Sequence, residues 1–287
     1  MALKDLLVYV DQTQSAPSRL RLGADLASRH ASRLTALYVR HWTQDQLEQR
    51  DTAELGLVSA QDLDRLEQHI EGSIDATGKR LRDELDALAR ERALQTEWRS
   101  LDGSAAVVVP QHARCADLCI VGWDGLPAGA SEEYTFAEEL LFITGRPVLF
   151  VPVSGSFHTL GRHIVVAWNS SRPAARAVND ALPLIERAER TTVLAVNPGD
   201  FIDRHGALPL EQVVEHLRHH APSVDAVRLE GVAARSIADT LQAQTGALGA
   251  DLIVAGAFGH ARLREKLLGG VTRDLLARMR LPIMMSY

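Results

Sequence analysis

Short apolar runs alternate along this chain with longer stretches whose apolar positions recur every three or four residues. Residues 5–12 (DLLVYVDQ) are an apolar run ending at Asp11, and residues 163–170 (HIVVAWNS) are a second, ending at Asn169. Helical spacing follows each, over 18–30 (SRLRLGADLASRH) and 174–188 (AARAVNDALPLIERA). Strand-like runs come next, at 33–39 (RLTALYV) and 191–197 (TTVLAVN). Further on, 116–125 (ADLCIVGWDG) matches 250–259 (ADLIVAGAFG). Each half closes on a run that opens at a proline, 146–153 (RPVLFVPV) and 281–287 (LPIMMSY).

One plan is therefore written twice, with a period of roughly 140 residues, long enough for each copy to be a domain. Apolar runs interleaved with amphipathic helices predict parallel sheets covered on both faces, an α/β fold of two tandem doubly wound domains. The domains are expected at 1–153 and 161–287, with the seam in SGSFHTLG (154–161), rich in small and polar residues. The halves differ in one insertion. Residues 45–93 carry Leu63, Leu66, Ile70, Ile74, Leu81, Leu85 and Leu88 at helical spacing, which predicts one long surface helix with Gly72 and Gly78 as weak points. Packing on the sheet explains such a stripe; a partner-binding face is the alternative.

Composition narrows the classes. A 46% hydrophobic content supports packed cores, and a net charge of −6 gives no reason to bind nucleic acid or an anionic membrane. No run approaches the ~18 apolar residues of a membrane span, and the N-terminus lacks a signal-peptide pattern, so a cytoplasmic protein is expected. Two cysteines, Cys115 and Cys119, are too few for a disulfide framework and read as buried free thiols. His216, His219 and His220 stand at helix-neighbour spacing and could bind a metal; a solvated helix end is the simpler reading.

The segment GAFGHARLREKLLGGVTRDLL (256–276) carries the clearest candidate chemistry. Gly256 follows a strand, at the end of a sheet where ligands of α/β folds collect. After Gly269 and Gly270, Val271, Leu275, Leu276 and Met279 share one side of a helix. Its start offers free N–H groups and a positive dipole end suited to an anion, with Thr272 adding a hydroxyl. His260, Arg262, Arg264 and Lys266 make the segment between basic. No P-loop, dinucleotide-type glycine triplet, nucleophile elbow or HExxH pair occurs.

Gly256, two residues, Gly259, nine residues, Gly269 resembles the phosphate-binding loop of the universal stress protein family, and the doubled strand order agrees. The resemblance implies five-stranded parallel sheets of order 3-2-1-4-5 and binding of ATP or another adenine nucleotide, with or without Mg2+. It places the ribose and phosphates on Gly256, Gly259, Gly269, Val271 and Thr272, with His260 and Arg262 as phosphate contacts. The base falls to Trp168, Asn169 and backbone groups of Val196, where Asn can both donate and accept. Gly270 departs from the family, which has a hydroxyl at that step, but its N–H remains.

The first half departs further. Asp11, Gly122 and Gly125 fit the family, but GWDGLPAGASEEYTFAEELL (122–141) has no glycine pair before its helix and brings Glu132, Glu133, Glu138 and Glu139. Carboxylates there would repel a phosphate, so an empty or differently used first site is expected. The resemblance also implies that the closing strands pair with each other, here within one chain as an intramolecular pseudo-dimer, with a homodimer of chains as a further step. The expected role is a ligand-dependent change of conformation or protein-partner binding in stress response. A pure interaction protein with both sites degenerate is the alternative; a weak ATP hydrolase ranks last because no catalytic base is recognisable.

Overall fold

The computed structural model describes residues 2–42, 44–55, 59–125, 136–155, 157, 160–197, 210–233, 237–258 and 270–287. The first half runs β1 (Asp5–Val10), α1 (Ala16–His30), β2 (Arg33–Arg40), α2 (Gln44–Leu55), α3 (Ala60–Arg92), β3 (Thr96–Asp102), α4 (Ala105–Ala113), β4 (Leu118–Trp123), α5 (Phe136–Ile143) and β5 (Val148–Pro152). The second runs β6 (His163–Ala167), α6 (Arg172–Ile185), β7 (Arg190–Val196), α7 (Leu210–Arg218), β8 (Val224–Leu229), α8 (Ile237–Ala247), β9 (Leu252–Gly256), α9 (Gly270–Ala277) and β10 (Ile283–Ser286).

The strands form one sheet in the order β3-β2-β1-β4-β5-β10-β9-β6-β7-β8. Each half is parallel with the expected 3-2-1-4-5 order. The halves join where β5 and β10 pair antiparallel, Leu149 facing Met284. Both closing strands, buried throughout, thereby lose the free edge that would invite aggregation. Side chains alternate between two apolar layers, as a pleated strand requires. Val8, Val10, Val166 and Trp168 belong to the layer under α1, α3, α6 and α7. Leu7, Tyr9, Val165 and Leu194 belong to the layer under α4, α5, α8 and α9.

The repeated ADL triplets have a structural role. Asp117 accepts hydrogen bonds from the backbone N–H groups of Lys4 (2.7 Å) and Asp5 (3.0 Å). Asp251 does the same for Gly161, Arg162 and His163 at 3.0–3.2 Å. Each carboxylate ties down the start of its half's first strand.

The insertion departs from the single helix expected over 45–93. It forms two, α2 and α3, and Ser59 caps the second: its Oγ accepts from Asp62 N–H at 3.2 Å and donates to the Asp62 carboxylate at 2.7 Å. Gly72 and Gly78 do not interrupt α3, which runs for 33 residues. Gly78 is a crossing point, because a Cβ there would come within 2.8 Å of the Tyr38 ring, whose hydroxyl donates to Ile74 O one turn earlier. Ile70, Ile74, Leu81, Leu85 and Leu88 are buried on the sheet, whereas Leu63 and Leu66 are half-buried.

Among the described residues no helix is long and apolar enough to cross a membrane, and no group of three His, Cys, Asp or Glu side chains is placed to hold a metal. His216 and His220 lie edge to face at 5.1 Å at the end of α7. Cys119 is buried and its thiol is pushed up to about 12 by that burial. Cys115 is exposed, against expectation, because it falls after α4 in the turn before β4.

Candidate functional site

A cavity of about 110 Å3 opens at the C-terminal edge of the second half's sheet. Ala167, Trp168 and Asn169 at the end of β6, Leu194 and Val196 on β7, and Ala255 and Gly256 on β9 form its floor. Ile237 and Leu241 of α8 form one wall; Gly270, Val271, Thr272 and Leu275 of α9 form the other. Seven of the sequence-predicted residues thus meet around one space: Trp168, Asn169, Val196, Gly256, Gly270, Val271 and Thr272. Gly259, His260, Arg262 and Gly269 lie outside the described residues.

Chain direction explains the polar rim. Trp168 N–H still donates to Leu194 O at 2.9 Å, but β6 then turns away, and its register with β7 ends at Ala167 and Leu194. Backbone groups of a parallel strand face alternate sides. Since Leu194 faces β6 and Asn197 N–H donates to Leu229 O at 2.7 Å, the N–H and C=O of Val196 face the space β6 has vacated. Asn197, missed by the sequence reading, fixes this edge: in the left-handed conformation (φ 46°), it exchanges two side-chain bonds with the backbone of Val232, at 2.5 and 3.0 Å.

Asn169 is held in an Asx turn. Its Oδ1 accepts from Ser171 N–H (3.2 Å) and Oγ–H (2.7 Å), while Ser171 Oγ caps α6 by accepting from Ala174 N–H. The indole of Trp168 packs in the layer with Val166, Ala174 and Val178, on the sheet face opposite Leu194 and Val196. Gly256 is required by packing: a Cβ there would lie 2.3 Å from Ala174 N and 2.4 Å from Pro173 C, so its bareness lets α6 start directly against β9. A Cβ on Gly270 would meet nothing within 4 Å. Thr272 Oγ1 accepts from Phe258 N–H at 3.2 Å, which ties Phe258, just beyond β9, to the first turn of α9.

The first half holds this site into place. The Phe258 ring stacks on Phe142 of α5 at 4.3 Å, with Tyr287 against both. Trp123 Nε1 donates to Leu276 O, a carbonyl at the C-terminal end of α9, across a buried 2.8 Å bond.

The same space in the first half is filled. Strand register equates Ile164 with Leu6 through their partners Leu252 and Leu118, so Tyr9 stands where the second half has Ala167. Counting back from the paired Leu140–Leu141 and Leu275–Leu276, Phe136 stands where the second half has Val271. The two rings meet edge to face at 5.9 Å. The Tyr9 phenol titrates well above its usual range, through burial first and then the neighbouring Asp11, and stays neutral. Asp11 keeps the Asx turn with Thr13 N–H at 3.0 Å. Its second oxygen lies 2.8 Å from the buried Arg19 guanidinium, a contact of charges rather than an aligned hydrogen bond. Arg19 Nε donates to Tyr9 O at 2.8 Å, and Gly122 makes the room: a Cβ there would fall 1.8 Å from Arg19 Nη1. Glu138 and Glu139 lie in the first turn of α5; Glu132 and Glu133 lie outside the described residues.

Residues 161–286 match the family model of the universal stress protein family. The second half of the chain belongs to that family. The match to this universal stress domain ends near the seam, and the first half repeats its topology with the site closed. A universal stress protein from Archaeoglobus fulgidus DSM 4304 shares the fold over both halves, with TM-score 0.66 and 15% identity, covering 98% of this chain and 96% of that one. A provisionally assigned universal stress protein from Pseudomonas aeruginosa UCBPP-PA14 does so with TM-score 0.56 and 15% identity, covering 99% and 93%. No curated protein sequence matches the chain.

Proposed function

We propose that the second half binds an adenine nucleotide, ATP foremost, with its base in the cavity beside Val196 and Asn169 and its phosphates toward the start of α9. The observation that carries this reading is the asymmetry between halves. Ala167 and Val271 keep a space open in the second half that Tyr9 and Phe136 close in the first. An apolar slot with a few converging polar groups suits a flat base, and the N-terminus of α9 suits an anion. Gly259, Gly269, His260 and Arg262 would extend the site along the phosphates, with Mg2+ as their counter-ion.

The reading includes no turnover. No ionisable side chain is among the residues lining the cavity, so nothing described there would serve as a general base. The output is then a change in conformation or in partner binding, passed to the first half through Phe258 and α9. Calorimetry on nucleotide-stripped protein tests the reading: saturable ATP binding is expected, and its absence up to millimolar nucleotide would overturn it.

A further inference from the structure

We propose that the first half, its own site closed, regulates the second-half cavity, and that Trp123 is the positioning residue through which it sets nucleotide affinity. This rests on the nucleotide reading above and concerns how that site is controlled.

The two halves hold each other crosswise. Strand register equates Leu118 of β4 with Leu252 of β9, so Phe258 corresponds to Asp124, between Trp123 and Gly125. Matching Leu140–Leu141 with Leu275–Leu276 makes Phe142 the counterpart of Ala277. Trp123 Nε1 donates to Leu276 O at 2.8 Å, and a Cβ on Gly125 would come within 3.3 Å of Ala277 O. In the reverse direction, the Phe258 ring stacks on Phe142 at 4.3 Å. The residues at the ends of β4 and β9 thus rest on the last helix of the opposite half.

The two crossings differ in kind. Phe258 on Phe142 is an apolar contact, with Phe142 40% exposed. Trp123 is buried and makes a directed bond. Leu276 O belongs to the last turn of α9, whose carbonyls lack partners within the helix. The N–H four residues on, that of Arg280, donates instead to Gln242 Oε1 at 2.9 Å. Trp123 therefore satisfies a carbonyl that would be costly to leave orphaned in this buried place.

The helix it holds is short. α9 has eight residues, about 12 Å of helix, and its other end lines the cavity through Gly270, Val271 and Thr272. The bond that seats the C-terminal turn therefore also sets where the cavity wall stands. Coupling of this kind is reciprocal: if the Trp123 bond favours the ligand-bound position of α9, a bound ligand strengthens the bond in return.

Trp123→Phe keeps a ring against Phe150 and deletes the N–H. ATP titration calorimetry, and hydrogen exchange of α9 without nucleotide, would be run on nucleotide-stripped full chains, with thermal melts as the folding control. Leu85→Val, in the opposite apolar layer of the first half, shows what a loss of stability does by itself. Trp123→Phe is expected to weaken ATP binding about fivefold or more and to speed α9 exchange by roughly tenfold. Leu85→Val should lower the melt and leave ATP affinity within about twofold of wild type. Wild-type ATP affinity in folded Trp123→Phe, unchanged α9 exchange, or an equal loss of affinity in Leu85→Val would overturn the proposal. Should Trp123→Phe fail to fold, wild type decides: ATP is expected to slow exchange of the Trp123 indole N–H, and an unaltered rate would overturn the proposal. No ATP binding to wild type would sink the nucleotide reading and this proposal together, whereas wild-type binding with unchanged affinity in folded Trp123→Phe sinks the proposal alone.

Discussion

Replacing Ala167 by Tyr copies the first half's filling into the second and separates the cavity's role from the stability of the fold. The void is about 110 Å3. If a ring filled it completely, the cavity term would return at most about 2.6 kcal/mol, at roughly 24 cal/mol per Å3. Part of that gain is lost where the cavity is not fully enclosed, and fitting a ring beside Val271 rather than Phe136 costs about 1–3 kcal/mol of adjustment. The two effects nearly offset, so the unfolding free energy of Ala167→Tyr is expected within about 2 kcal/mol of wild type. The ring and a nucleotide base cannot share the space, so ATP affinity should fall by about 100-fold or more, a loss of at least ~2.7 kcal/mol. Chemical denaturation measures the first quantity and calorimetry the second. A folded Ala167→Tyr protein that binds ATP within threefold of wild type would show that the base does not lie in this cavity.

Three further outcomes follow from single residues. Gly256→Ala drives a methyl into the backbone of Pro173 and Ala174, so it should cost more than about 2 kcal/mol and lower the melting temperature by several degrees; an unchanged melt would refute the close approach. Gly270→Ser places a hydroxyl where nothing lies within 4 Å, so it should leave stability unchanged and tighten ATP roughly tenfold, by about 1.5 kcal/mol, whereas weaker binding would put the phosphates elsewhere. His30 is buried, and its imidazole is held down to about 4 by that burial first and then by the Arg187 and Arg29 charges. The unfolded chain takes up this proton near pH 6.5 while the folded one does not, so the contribution is complete above pH 6.5 and lost on acidification toward pH 4. It amounts to ~3 kcal/mol. His30→Gln should flatten stability against pH in that window; an unaltered slope would assign the acid sensitivity to other groups.

The fold was legible because its inner strands are buried on both faces. Continuous apolar runs such as LLVYV and LIVAG write themselves into the sequence. The outer strands β3 and β8 were not individually legible, since TEWRSLD and VDAVRL are largely half-buried or exposed and carry mixed polarity. The hydrophobic stripe carried no signal of the break in the insertion, because Leu63 to Leu88 all lie after Ser59, inside α3. At the site, glycine spacing and strand ends picked out the residues around the cavity, but not what each does. Gly256 serves helix packing, and the Trp168 indole points into the opposite layer. Ala167 went unnoticed because small residues carry no positive signal. Its meaning appears only when β1 and β6 are set in register and Tyr9 falls opposite it.

That register also accounts for how two related halves come to differ without losing the fold they share. Filling a site at the C-terminal edge of a sheet leaves the layers beneath intact, so Tyr9, Phe136 and the Arg19–Asp11 pair can occupy the first site at no cost to the strand order. The second half keeps its opening, but the elements around it lean on the first half. Phe258, in the left-handed conformation at φ 60°, is clamped by Phe142, and the far end of α9 takes its hydrogen bond from Trp123. A helix with one end on the cavity and the other bonded to the first half cannot shift at one end alone. Closure around a nucleotide would therefore be felt at Trp123 and Phe142, and the closed half would be the frame against which the open half moved.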